Sequence, residues 1–356
     1  MEERHDVPLK SLTTIGVGGP AARLVRVEST DELVDAVREV DDADEPLLIL
    51  SGGSNLVIAD EGFSGTVIQI ATRGVTIESV DRCGGANVRL AAGEPWDGVV
   101  QRSVDEGWAG TEALSGIPGC SGTTVVQNVG AYGQEVAQTV ASVRVWDRQQ
   151  AAVRTFANAE CGFTYRHSRF KGTDRYVVLD VLFQLHVDTL SRPIGYADVA
   201  ERLGVPLGGR AALAEVRDAV LGQRRRRGMV LDPEDRDTWS CGSFFTNPVL
   251  DADQAAALRH RVRERLGADA VAPEFPAGEG AFKTSAAWLI ERAGFPKGYG
   301  LPGPAALSTK HTLAVTNRGQ AGASDIVALA REVRDGVRSA FGVTLVNEPV
   351  LIGLAL

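Results

Sequence analysis

The chain has 356 residues, past the size at which one hydrophobic core usually keeps growing, so two or three domains are expected. With 44% hydrophobic and 23% charged residues it has the composition of a soluble globular protein, which excludes a disordered or fibrous chain. A formal net charge of -9 opposes nonspecific binding to nucleic acid or to an anionic membrane surface, so any phosphate must be met by local groups.

The start, Met1-Glu2-Glu3-Arg4-His5-Asp6, is acidic and lacks a signal-peptide core. No run approaches the roughly 18 apolar residues of a membrane span, and a cytoplasmic location is expected. Ala22–Val27 reads as a strand. Ser29-Thr30-Asp31-Glu32 is a capping box that opens a helix with Leu33, Val37 and Val40 on one face. Leu47–Leu50 is a short apolar strand, followed by the polar loop Ser51-Gly52-Gly53-Ser54-Asn55 and a strand over Val67–Ile70. No helix follows the loop as a dinucleotide GxGxxG requires, and no GK[ST] as a Walker loop requires, so both common nucleotide folds are disfavoured. A nest of backbone N–H groups there can still hold a pyrophosphate, although a tight turn between buried strands reads equally well from the residues alone.

A helix is expected from Trp96 to Val104, stopped by Gly107. Residues 116–133 then carry five glycines among amides and hydroxyls, a composition that gives a large flat polar ligand close backbone approach and many donors. Strand signals dominate from Val143 to Val187. Arg224-Arg225-Arg226-Arg227-Gly228 marks a boundary, and the run is either a solvated face or an anion contact. Two further helices, Ser285–Ala293 ended by Gly294 and Ser324–Phe341 ended by Gly342, are scaffold; the second has Ile326, Ala330, Val333, Val337 and Phe341 on one stripe. An apolar strand over Thr344–Ala355 is expected to return to the N-terminal strands. Cys83, Cys120, Cys161 and Cys241 are widely spaced with no CxxC, and the five histidines show no HExxH, so reduced thiols and no protein-bound metal are expected.

Three separated segments each bring polar groups suited to one reaction: Gly162–Arg166, Cys241–Pro248 and Asn347-Glu348-Pro349. With Ser11–Gly19, Gly52–Val57, Gly116–Thr124 and Gln127–Gly133 they make seven motifs in order. Together they resemble the UDP-N-acetylenolpyruvoylglucosamine reductase (UDP-N-acetylmuramate dehydrogenase) family over essentially the whole chain. The resemblance implies an α+β protein, with a two-part FAD-binding module of vanillyl-alcohol-oxidase (PCMH) type and a C-terminal α/β substrate-binding domain. The implied divisions are 1–72 with 345–356, 73–218 and 219–344.

It also implies noncovalent FAD, NADPH as co-substrate, and reduction of the enolpyruvyl ether of a UDP-sugar in cytoplasmic peptidoglycan precursor synthesis. The hydride would pass from flavin N5 to the β-carbon, Arg166 and Glu348 would stabilise the enolate-like charge, and Ser243 would protonate the α-carbon. Flavin contacts would come from Ser51, Gly52, Gly53, Ser54 and Asn55 at the pyrophosphate, and from Gly119, Ser121, Gly122 and Thr123 nearer the ring. Substrate contacts would come from Tyr165, Tyr196, Arg227 and Asn247. The Gly195–Asp198 loop is similar to that of the type I branch, Arg227 stands where the family commonly has lysine, and His311 falls among its polar substrate contacts. No nucleic acid, membrane or obligate protein partner is implied. Two other readings remain: another FAD-linked oxidoreductase of the same fold, and a nonredox nucleotide-binding protein.

Overall fold

Ser29 begins the first helix as expected: its Oγ accepts the Glu32 N–H at 3.2 Å, and helix Thr30–Asp42 buries Leu33, Ala36, Val37 and Val40. In the computed structural model, residues 1–278 and 280–356 are described, and the chain divides into two compact units. The first comprises Met1–Val7, Ala21–Gly53 and Phe63–Val230; the second comprises Pro8–Pro20, Ser54–Gly62 and Leu231–Leu356.

In the first unit, strands Glu2–Pro8, Pro20–Val27, Phe63–Ile70 and Leu47–Leu50 form a sheet in that order, the last three parallel. A six-stranded antiparallel sheet follows, ordered Ala152–Ala157, Val140–Asp147, Tyr176–Val187, Gly85–Ala91, Val75–Asp81, with Trp108–Ala109 also paired to Tyr176–Val187. Alternation along Val140–Asp147 sends Val143 and Val145 into a core that also holds Trp96, Phe156, Phe183 and Val181. Helix Trp96–Asp105 covers part of it.

Asp147 ends that strand fully buried, and Arg175 grips it with two bonds, Nε at 2.9 Å and Nη2 at 2.7 Å, while Arg154 adds a third at 3.2 Å. The Arg175 hydrogen bond is the main cause that holds its carboxyl at about 2, against an ordinary 3.8. A depressed carboxyl contributes stability above its unfolded pKa and loses it as pH falls through the folded one. Asp147→Asn is therefore expected to melt below wild type at neutral pH, with the gap closing as pH falls from about 4 toward about 2. Thermal melts across that range check this; a gap independent of pH would contradict it.

The second unit packs helices Ala252–Leu266, Ala286–Ala293 and Ala323–Phe341 with short strand pairs around Phe244, Phe245, Leu289, Ile326, Val333 and Phe341. The expected stripe Ile326, Ala330, Val333, Val337, Phe341 is buried throughout, and Gly342 closes the helix at φ +72. The C-terminal strand does return to N-terminal sequence, pairing parallel with Leu56–Ile58, but it spans only Val350–Ile352. Pro349 has no N–H for a ladder and Gly353 turns at φ +69, so the longer strand expected from hydropathy is cut at both ends.

Candidate active site

Strand Leu47–Leu50 delivers the chain into Ser51-Gly52-Gly53, with Gly53 at φ +58. Gly52 lies so close to the second glycine-rich segment that a Cβ on it would stand 2.5 Å from Gly119 Cα. Gly119, at φ +115, also needs a residue without a side chain. Two glycine-rich backbones thus meet face to face, and beside them the buried Ser51 Oγ has no hydrogen-bond partner among the described residues. An orphaned hydroxyl and a backbone cradle that a methyl group would fill fit the diphosphate of a dinucleotide such as FAD. Gly52→Ala is expected to yield folded protein with at least about tenfold less bound flavin, because the methyl must displace backbone. Absorbance of purified protein near 450 nm, on the order of the usual flavin band, measures it; wild-type content would contradict the cradle.

Ser121, Gly122 and Thr123 form most of a short helix, Ser121–Thr124, seated on Ala92. The Ser121 hydroxyl donates to Ala91 O at 2.5 Å, the N–H groups of Ser121 and Gly122 donate to Glu94 O and Ala92 O, and Thr123 Oγ1 donates to Cys120 O at 2.7 Å. These bonds, with Cys120 N–H donating back to Thr123 Oγ1 at 3.3 Å and Thr124 Oγ1 donating to Ser121 O at 2.6 Å, fix the segment's shape.

Arg166 sits at φ +55, a conformation that L residues other than Gly rarely hold. Its Nη2 donates to Gly130 O at 2.6 Å, its guanidinium lies 5.2 Å from the Tyr165 ring centre, and Lys171 Nζ donates to its carbonyl at 3.1 Å. Asn128 (φ +49) and Tyr132 (φ +51) share this strained backbone, and Asn128 Nδ2 binds Thr164 O at 3.0 Å. These three left-handed positions lie on two adjoining loops that the Asn128 and Arg166 side chains tie together.

Tyr196 precedes helix Ala197–Leu203, so Ala197 and Asp198 are its first turn and not part of the loop, as the sequence suggested. Its ring meets Tyr132 edge to face at 5.2 Å. Arg227, just past helix Leu213–Arg226, donates to Asp198 at 3.1 Å. Tyr132 and Arg224 are the residues sequence reasoning missed here. Arg224 is half-buried, with its Nη2 on Met229 O at 2.6 Å and its buried Nε without a hydrogen-bond partner among the described residues, and burial pushes the Tyr132 hydroxyl up. The signal lay in the arginine run, whose helical spacing puts Arg224 and Arg227 on one side.

In the second unit, Gly242 at φ +72 turns the chain into Ser243, and the buried, edge-to-face rings of Phe244 and Phe245 anchor the strand beyond it. This segment pairs with the C-terminal one: Glu348 N–H donates to Phe244 O at 2.9 Å, Phe245 bridges Asn347, and Thr246 N–H donates to Val346 O at 3.0 Å. Ser243 and Glu348 are thereby held on neighbouring backbones, both half-buried. Asn55 reinforces the pairing, its Nδ2 on Glu348 O at 3.3 Å and its carbonyl accepting Val350 N–H at 2.9 Å. Ser54 belongs to the same stretch.

Asn247 Oδ1 accepts the Ala286 N–H at 3.0 Å and so helps cap helix Ala286–Ala293. His311 lies in the turn 308–314, its N–H on Ser308 Oγ. Cys241, next to the Ser243 turn, is a core residue: burial pushes its thiol up to about 12, which removes it as a nucleophile. Among the described residues no cluster of three His, Cys, Asp or Glu could hold a metal, and no helix is long and apolar enough to cross a membrane.

Comparison with known proteins accords with both units. Residues 21–155 match an FAD binding domain, and residues 232–352 match the C-terminal domain of UDP-N-acetylenolpyruvoylglucosamine reductase. The chain is 60% identical to the UDP-N-acetylenolpyruvoylglucosamine reductase of Thermobifida fusca over 99% of its own length and 98% of the relative's. It is 57% identical to that of Streptomyces avermitilis over 100% and 96%. The crystal structure of UDP-N-acetylenolpyruvylglucosamine reductase from Thermus caldophilus is similar with a TM-score of 0.65 at 26% identity, covering 99% of this chain and 98% of that one. The α+β reading, with an FAD-binding module ahead of a distinct C-terminal domain, holds, and the chain belongs to the UDP-N-acetylenolpyruvoylglucosamine reductase family.

Proposed function

We infer that the protein reduces UDP-N-acetylenolpyruvoylglucosamine to UDP-N-acetylmuramate in the cytoplasm, with NADPH as reductant and noncovalently held FAD between them. FAD held at Ser51–Asn55 and Gly119–Thr123 would supply the hydride chemistry that links NADPH to the enolpyruvyl group. The observation that supports the reading is the backbone pairing of the segment carrying Ser243 with the segment carrying Glu348, in which Glu348 N–H donates to Phe244 O. A hydroxyl and a carboxyl group on paired segments suit a reaction in which one carbon must receive a proton while charge accumulates on a carboxylate two bonds away.

Ser243 gives its proton to the α-carbon, and the Arg166 guanidinium and Glu348 stabilise the enolate-like charge that precedes this transfer. Hydride and proton together saturate the C=C bond and leave a lactyl ether. Tyr165, Tyr196, Arg227 and Asn247 hold the UDP portion, and Ser51 with Gly52, Gly53, Ser54 and Asn55 holds the flavin diphosphate. Arg227 keeps the charge of the family's lysine but presents a planar fork already engaged by Asp198, so its diphosphate contact requires that pair to open or to be shared. Incubating the purified protein with NADPH and the UDP-sugar tests the reading: a product two mass units heavier than the substrate is expected, and substrate recovered unchanged would contradict it.

A further inference from the structure

Glu112 has no part in the chemistry above, yet its side chain is 1% exposed and makes three bonds, all to N–H donors. Its Oε2 accepts Gly110 N–H at 2.6 Å; its Oε1 accepts both Gln134 Nε2 and Arg192 N–H at 2.8 Å. Gln134 returns a bond of its own, Oε1 accepting Ala113 N–H at 2.8 Å. The two donors on Oε1 come from segments far apart in sequence, and each leads into one member of the tyrosine pair.

Gln134 opens the second strand of the hairpin Gly130–Ala131/Gln134–Glu135, whose two-residue turn is Tyr132-Gly133. With φ +51 and +86 at its central residues this has the positive φ pair of a type I′ turn, and a tyrosine in the first position is strained there. Arg192 starts the stretch that reaches Tyr196, and Gly133 and Gly195 pack so closely that a Cβ on the former would stand 3.2 Å from the latter's Cα. Tyr132 and Tyr196 are therefore brought edge to face by two loops tied to one carboxyl group.

We propose that Glu112 is a positioning residue for the UDP-sugar: by binding Gln134 and Arg192 on a single oxygen it fixes the Tyr132 turn and the Tyr196 loop relative to each other and so sets substrate affinity. This rests on the functional reading above. Glutamine cannot serve undisturbed: whichever way it faces, its NH2 meets a buried N–H, that of Gly110 or that of Arg192, and the two opposed donors push the side chain from the position that holds both loops.

Glu112→Gln is expected to raise KM for UDP-N-acetylenolpyruvoylglucosamine about tenfold or more while NADPH bleaches its flavin at the wild-type rate. Val143→Ala, a core truncation in the same unit, controls for general loosening; it is expected to lower Tm with KM unchanged. If Glu112→Gln does not fold, Gln134→Ala, which releases the hairpin alone, is expected to raise KM in the same direction. Wild-type KM in Glu112→Gln, or in Gln134→Ala where the first variant is insoluble, overturns the proposal, as does an equal KM rise in Val143→Ala. Wild-type protein that does not turn over the UDP-sugar would instead overturn the functional reading, which separates the two failures.

Discussion

Ser243→Ala is expected to accept reducing equivalents from NADPH as wild type does and then to form product at least about a hundredfold more slowly, the usual scale for a missing general acid. The substitution isolates chemistry from folding. Gly242 makes the turn, Phe244 and Phe245 fill the core, and backbone pairing to residues 346–348 sets the strand, so no part of the scaffold depends on the serine hydroxyl. Stability within about 0.5 kcal/mol of wild type is expected for such a half-buried site. Rapid-mixing kinetics separate the two half-reactions: a slow second half with an unchanged first supports Ser243 as proton donor, and undiminished product formation would remove it from that role.

The second large effect is expected at Arg166. Arg166→Lys should retain flavin and lose about a hundredfold or more in kcat, comparable to deleting one donor from a preorganised oxyanion site. The guanidinium is anchored twice: one nitrogen holds Gly130 O at 2.6 Å, and its centre lies 5.2 Å from the Tyr165 ring centre, so its planar fork has a fixed position. A lysine ammonium keeps the charge and its donors but is a compact point of charge that lacks the planar fork for two parallel bonds to a carboxylate. Residue 166 also holds φ +55, where lysine is no better suited than arginine, so backbone strain is common to both proteins and cancels in the comparison. A kcat within threefold or so of wild type would show that charge alone suffices and would contradict the fork argument.

Much of this was legible in the sequence wherever local signals agreed. Ser29, Gly294 and Gly342 mark helix ends because caps and left-handed stops are chemical choices made by single residues. The glycine-rich loop without a following helix was equally readable: strand Leu56–Ile58 follows Ser51–Asn55. Helix Ala252–Leu266 was not seen, since only Ala255, Leu258 and Val262 are buried and arginines crowd the rest, which dilutes the apolar stripe. The arginine run was legible as a boundary, because the first unit ends at Val230, but not as the last turn of a helix.

Roles within the site split the same way. Motif order pointed to Arg166, Ser243 and Glu348, whereas Asn55 looked like a phosphate residue and in fact also ties down the Glu348 strand. Glu112 left no local trace: its partners lie at Gly110, Gln134 and Arg192, and only the fold gathers them.

The most direct measurement adds NADPH anaerobically to the purified protein and then UDP-N-acetylenolpyruvoylglucosamine, following flavin absorbance throughout. Bleaching by NADPH and rapid recovery on adding the UDP-sugar is the result this account predicts. Bleaching without recovery would contradict the substrate assignment and favour another FAD-linked oxidoreductase; no flavin signal, even after reconstitution with FAD, would contradict the cofactor as well.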